Sequence, residues 1–351
     1  MKLPYRWVRR VLLWPLPIIA TFFYLATVPL LIIGALLISY RLPGKLRALR
    51  ALGLATVYLF VEAAVMVAGL ALWIVSAFGA NTPPGFFVAA HYVLLRWALK
   101  VLIGSGRRLF SLEITVAGEP LPTHDAVADF DDAPLIVMAR HAGPADSLLL
   151  LNQVMSWHGR RPRIVAKDIL QLDPAFDLLL NRLPNRFISA AGGHNAVDAI
   201  AELAAGMDGR DAFVIFPEGG NFTESRRLRA IDRLRTHGDV DAAERAERLR
   251  NVLPPRPAGS IAAMNACPSA DAVFVAHTGL DAIAGVGDVW LALPEVNTLE
   301  LSWRHIDALD LPADDAGKEE MLLRAWEAID AWIVEHRPGA GEVVDAESNV
   351  E

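Results

Sequence analysis

Hydrophobic and polar positions alternate in two different ways along the chain. Val11–Ser39 is almost wholly apolar, interrupted by Pro15, Pro17 and Pro29, and Ala51–Phe78 is a second apolar run whose one charged residue is Glu62. Each is long enough to span a hydrocarbon core of ~30 Å. A third stretch, Phe86–Gly104, carries His91, Arg96 and Lys100 and reads as an interfacial helix. Beyond it the apolar runs shorten to five to seven residues and alternate with amphipathic segments.

That second pattern predicts an α/β sheet. Leu112–Ala117 opens as a strand, and Thr123–Ala133 is an acidic, turn-rich loop. Pro134–Arg140 is a continuous apolar strand that delivers His141 into a Gly-Pro turn, with Asp146 placed to cap the helix Ser147–Trp157. Further strands are predicted at Arg163–Ala166, Arg186–Ser189, Ala212–Phe216 and Asp271–Val275, and a pair of outer strands at Val289–Leu293 and Leu299–His305. Helices are predicted at Asp168–Leu183, Asn195–Ala205, the charged Arg226–Arg250 and Lys318–His336. Leu253–Gly259 reads as a rigid, proline-built turn, and the acidic tail from Pro338 as disordered. The expected division is a membrane region over 1–108, a catalytic domain over 109–337 and a tail over 338–351.

Composition sharpens this division. The chain is 54% hydrophobic, and its mean hydropathy of +0.33 reflects an excess in the first ~105 residues. The net charge of −7 argues against nucleic acid as a partner. Cys267 is the one cysteine, so no internal disulfide is available, and no Cys/His cluster suggests a metal site. Basic clusters flank the first apolar run on both sides and follow the second, at Arg96, Lys100, Arg107 and Arg108. The positive-inside rule would put all of them on the cytoplasmic side of the cell membrane. Two re-entrant hairpins meet that condition, one bending near Pro29 and one turning at Gly79–Gly85. Two ordinary transmembrane helices are the alternative.

Candidate chemistry lies in two loops. H-x4-D occurs three times, as His124/Asp129, His141/Asp146 and His305/Asp310, and spacing alone does not rank them. Only His141 ends a buried strand and precedes a Gly-Pro turn and a helix. A carboxylate that fixes an imidazole's tautomer leaves its other nitrogen to take a proton from an alcohol. A hydrogen-bonded loop histidine and a plain helix cap account for the same residues equally simply. Phe213–Phe216 runs into Pro217-Glu218-Gly219-Gly220-Asn221, a carboxylate with flexible backbone beside it. Backbone donors near Gly143 or Gly219 are candidates for meeting an oxyanion. Arg226, Arg227 and Arg256 are candidates for phosphate, with solvated arginine as the plainer alternative.

In their order along the chain these segments resemble the glycerolipid acyltransferases, the lysophosphatidic acid acyltransferases and their relatives. His141-Ala-Gly-Pro-Ala-Asp146 resembles the family's H-x4-D block, Arg182–Ile188 its second block, and Phe216-Pro-Glu-Gly219 its third. Asn221–Glu224 and Leu253–Gly259 resemble stretches of one branch. The resemblance implies a mixed sheet flanked by helices, with His141 and Asp146 catalytic. It further implies that Glu218, Gly219, Gly220, Asn221, Arg186, Phe187, Arg226, Arg227 and Arg256 bind substrate. The implied reaction moves a fatty acyl group from acyl-CoA or acyl carrier protein to a lysophospholipid hydroxyl, with 1-acyl-sn-glycerol-3-phosphate the foremost acceptor, in phospholipid biosynthesis. No metal and no bound cofactor is implied, and membrane lipid is the partner. The chain departs from the family where Gly220 and Asn221 replace the usual Thr-Arg, where Ser189 and Ala190 follow Ile188, and where Val275-Ala276 replaces Val-Pro. These departures leave room for a glycolipid or amino-acid lipid acceptor, or for a lipid-binding protein without catalysis.

Overall fold

Along Leu135–Ala139, alternate side chains enter two different cores. Leu135, Val137 and Ala139 join one hydrophobic cluster, and Ile136 and Met138 join another. Strand geometry sends successive side chains to opposite faces, so a run buried on both sides needs apolar residues at every position. In this computed structural model, which describes residues 3–41, 46–117, 133–188, 194–279, 281, 290 and 297–337, that strand is β2 of a seven-stranded sheet.

The strands are β1 (Leu112–Ala117), β2 (Leu135–Ala139), β3 (Arg161–Lys167), β4 (Arg186–Ile188), β5 (Asp211–Ile215), β6 (Asp271–Thr278) and β7 (Asn297–Ile306), in the order β1-β7-β6-β2-β5-β3-β4. All neighbours are parallel except β6 and β7. The sheet is therefore mixed, as the pattern predicts. β7 is not an outer strand, because β1 pairs with it from the far side. Val289–Leu293, apart from Trp290, lies outside the described residues, as do Thr123–Asp132 and the tail.

Four helices precede the sheet: α1 (Arg6–Leu13), α2 (Leu16–Arg41), α3 (Arg47–Val75) and α4 (Pro84–Phe110). Within the sheet region lie α5 (Pro144–Ser156), α6 (Pro174–Leu180), α7 (His194–Ala205), α8 (Glu224–Thr236), α9 (Val240–Arg248), α10 (Pro257–Ala266) and α11 (Asp315–His336). α7, α10 and α11 cover one face of the sheet with Ile200, Leu203, Met264, Trp326 and Ile333. The other face is covered by α5 and α6 together with Val61, Val65 and Met66 of α3 and Tyr92, Leu95 and Leu99 of α4. The N-terminal helices thus supply part of the sheet's own covering layer.

Polar contacts fasten the same junction. Buried Arg9 reaches Asp177 of α6 at 2.9 Å, and Trp14 Nε1 donates to the other oxygen of Asp177. Tyr58 donates to Asp173, and Ala175 N donates to Glu62. α3 and α6 approach so closely that a Cβ on Gly69 would overlap Leu178.

Three helical stretches, Arg6–Arg41, Arg47–Val75 and Gly85–Phe110, are long and apolar enough to cross a membrane. α2 runs antiparallel to α3, since Thr21 bonds Leu59 O and Tyr24 meets Thr56. Its outer surface exposes Phe22, Leu30 and Leu37, an apolar area that lipid would cover. The bend expected near Pro29 is absent: Pro29 sits inside one continuous helix from Leu16 to Arg41. Neighbouring helices and an apolar surround tolerate proline in such a helix. A turn does separate α3 from α4, with Ala77, Phe78 and Gly79 at positive φ. Phe86–Gly104 is more than an interfacial helix, because one side of α4 forms the roof of the core and Arg96 and Lys100 lie on its exposed side.

Candidate active site

Three loops meet beyond the carboxyl ends of β2 and β5. Adjacent parallel strands open their following loops at one edge of the sheet, where α/β proteins bind ligands. The loop after β2 carries Arg140–Gly143, the loop after β5 carries Phe216–Phe222, and Leu253–Arg256 leads into α10. Phe222 N donates to His141 O at 2.6 Å, and Arg256 N donates to Pro217 O at 2.9 Å. The two loops singled out in the sequence therefore do face each other.

His141 lies with its ring against Phe216, centroids 4.6 Å apart. Its Nδ1 is 3.1 and 3.2 Å from the two oxygens of Asp146. A carboxylate only accepts, so the proton is on Nδ1. Nε2 has no hydrogen-bond partner among the described residues, and the side chain is 16% exposed. Asp146 is not the N-cap of α5. Gly143 holds that place, and Asp146 reaches back from the third helical position to accept from Ala142 N at 2.6 Å and Gly143 N at 2.9 Å. Burial opposes its ionisation, but the His141 hydrogen bond, the neighbouring His277 and His141 imidazoles and the Gly143 N–H outweigh it and hold the carboxyl below its ordinary value.

Glu218 is turned inward. It is 2% exposed, and its oxygens accept from His141 N at 3.2 Å and Leu253 N at 3.1 Å, so one carboxylate ties all three loops together. Burial pushes it up to about 8, against the lowering pull of the Leu253 N–H and the Arg140 charge. Both backbone donors suggested for an oxyanion are engaged elsewhere: Gly143 N bonds Asp146 and Gly219 N bonds Phe216 O.

Beside this junction opens a cavity of about 510 Å³, lined by Glu218, Gly219, Gly220, Arg226, Arg233 and Arg256 among others. Gly219 has φ of 69°, and a Cβ there would come within 3.1 Å of the Arg256 guanidinium. Glycine at this position lets that cation lie directly over the loop. Arg226 donates to Asn221 O at 2.8 Å and also to its side chain. The remaining sequence candidates lie elsewhere. Arg227 pairs with Glu224 and Leu249 O. Arg186 and Phe187 sit on β4, at the sheet edge three strands from β2.

Two buried residues escaped the sequence reading. Arg140 is 1% exposed; it donates to His277 O and Asn251 O and pairs with Asp281. His277 is the last residue but one of β6 and lies 3.6 Å from Asp146 Oδ2. The strand was expected to stop at Val275, whereas it runs on to Thr278, and the apolar run continuing through Ala276 is the one local signal for a longer strand.

A histidine with one nitrogen tied to a carboxylate and the other unengaged is equipped to accept a proton. Residues 113–268, which hold His141, Asp146, Glu218 and Arg256, match the family model described as Acyltransferase. The chain carries a domain of the glycerolipid acyltransferase family. No curated protein shows a significant match to the chain. The acyltransferase domain assigns acyl transfer in lipid metabolism as the enzyme's reaction class. The matched segment begins inside β1 and ends just after α10, so it contains neither the N-terminal helices nor His277 of this acyltransferase.

Proposed function

We propose that the protein is a membrane acyltransferase that acylates the free hydroxyl of a lysophospholipid, foremost 1-acyl-sn-glycerol-3-phosphate, in phospholipid biosynthesis. The observation that carries this reading is the unengaged Nε2 of His141, opposite an Asp146-bound Nδ1, in a loop tied through its backbone N–H to Glu218 of the facing loop. The donor is a thioester, acyl-CoA or acyl carrier protein. His141 Nε2 removes the acceptor's hydroxyl proton as the oxygen bonds to the thioester carbonyl carbon. The carbon–sulfur bond then breaks, and the imidazolium returns the proton to the leaving thiolate. Asp146 holds the ring and offsets the transient imidazolium charge.

Arg256 and Arg226, lying over Gly219 and Gly220, suit an acceptor phosphate, since a guanidinium offers paired donors to phosphate oxygens. Glu218 positions the loops rather than touching the head group. Lys167, Arg229 and Arg233 extend the same cationic lining. The apolar helices hold the enzyme at the cell membrane and concentrate its lipid substrate, with the basic clusters and the site on the cytoplasmic side.

A second acceptor class is favoured by one observation: Asn221 stands where the family usually has arginine and is itself engaged by Arg226. A panel of lysolipids incubated with radiolabelled acyl-CoA or acyl carrier protein separates the readings. Lysophosphatidic acid acylated most efficiently supports the proposal. Transfer confined to a glycolipid or amino-acid lipid would replace it, and no thiol release with any donor would favour lipid binding without catalysis.

A further inference from the structure

Asp146 has a second imidazole beside it. His277 Nε2 lies 3.3 Å from Arg140 O and 3.6 Å from Asp146 Oδ2. A carbonyl oxygen only accepts, so Nε2 carries the proton and points it at the carbonyl and the carboxylate together. The residue is 4% exposed, and Nδ1 is buried without a partner among the described residues. Gln153 of α5, fully buried, likewise has neither amide oxygen nor amide nitrogen partnered. Gln153, His277 and Asp146 share the wall of a small space of about 10 Å³. That is about the volume one water molecule needs, and the site offers it several polar partners.

We propose that His277 is a positioning residue of the acyl-transfer site, holding the Asp146 carboxylate from β6 with its Nε2–H while a water bridged to Gln153 donates to its Nδ1. The inference rests on the reading of His141 as the base. Asp146 sets the orientation of His141, and its own plane is fixed by the donors Ala142 N, Gly143 N, Ser147 Oγ and His141, with the His277 Nε2–H packed 3.6 Å from Oδ2 on the remaining side. Loss of the His277 donor lets the carboxylate turn and misaims the imidazole. Charging His277 is disfavoured by burial first and by the Arg140 guanidinium second, which together push it down to about 4. It therefore acts as a fixed neutral donor and does not exchange protons with the reaction. Neither His277 nor Gln153 lines the larger cavity, so substrate affinity is separate from this effect.

The test uses full-length protein with palmitoyl-CoA and whichever lysolipid the panel selects. His277→Leu should lower kcat roughly three- to ten-fold, with both KM values unchanged. His277→Asn, whose amide N–H can face the same carboxylate, should recover most of the loss. Wild-type kcat in His277→Leu, with His141→Ala silent, overturns this inference alone. An active His141→Ala protein overturns the base reading and this inference with it. Should the Leu variant fail to fold, nitrogen-15 NMR of histidine-labelled wild-type protein decides: an Nε2–H tautomer at His277 supports the proposal, and an Nδ1–H tautomer or an imidazolium at pH 7 overturns it.

Discussion

Two hydrogen-bonded histidine–aspartate pairs among the described residues, His141–Asp146 and His305–Asp271, lie near opposite ends of β6, and they differ in what the imidazole has left over. At the carboxyl end, His141 gives Nδ1 to Asp146 and keeps Nε2 unengaged. At the amino end, His305 of β7 gives Nε2 to Asp271 at 2.9 Å and turns Nδ1 toward Asp307 at 3.6 Å. Its H-x4-D partner in sequence, Asp310, lies in a short 3-10 turn and does not meet it. The first pair leaves its second nitrogen facing no carboxylate among the described residues, whereas the second turns its own toward another acid, Asp307. Asp271 also accepts from Ala308 N, so the second pair fastens the turn after β7 to the start of β6. Spacing alone did not rank His141 above His305; the hydrogen bonds around them make one a candidate base and the other a fastening.

Four substitutions would break or sharpen that contrast. His141→Ala should lower kcat by about 10⁴-fold, the upper range for a general base, while the protein remains folded and membrane-bound. Retained activity would end the base reading. Asp146→Asn comes next, at roughly 10³-fold, because an amide stabilises the wrong tautomer and cannot offset the imidazolium. Steady-state kinetics with saturating donor measures both.

Glu218→Gln tests the clamp rather than the base. In the folded chain the Glu218 carboxyl sits at about 8 against an ordinary 4.5, so folding favours its protonated form. Its share of stability is complete below about 4.5 and is lost as pH rises through about 8. Thermal unfolding from about pH 5 to pH 9 should therefore show the wild type losing ground relative to the Gln variant. Parallel curves would mean that the buried carboxyl carries no such linkage. The smallest effect belongs to His305→Ala, with kcat unchanged and less than about 1 kcal/mol of stability lost, since that pair is partly exposed. A large loss of kcat there would erase the distinction between the two ends.

Much of the sheet was legible because β2, β5 and β6 are buried on both faces and so read as unbroken apolar runs. α10 was not legible. Its sequence, Pro-Ala-Gly-Ser-Ile-Ala-Ala-Met, is small and unpatterned, and Pro257 suggests a turn while in fact occupying the helix's first position. The His141 and Glu218 loops stood out because strand ends carry chemistry-bearing residues. The inward set of Glu218, the engagement of Gly143 N and the approach of His277 depend on neighbours distant in sequence, which no local pattern encodes. The placement of α4 was hidden for a similar reason: a helix that faces lipid on one side and core on the other is apolar on both.

The pairing of Arg9 with Asp177 also bears on how the protein is made. The two residues are separated by 168 positions, so the arginine leaves the ribosome roughly ten to thirty seconds before its partner exists. An unpaired guanidinium is costly to bury, and throughout that interval α1 is held where water or lipid head groups can solvate it. Docking of α1 therefore waits for α6 to emerge and fold. α1, synthesised well before its partner, is among the last helices to reach its final seat, and nascent chains cut short before Asp177 should leave it accessible to added protease.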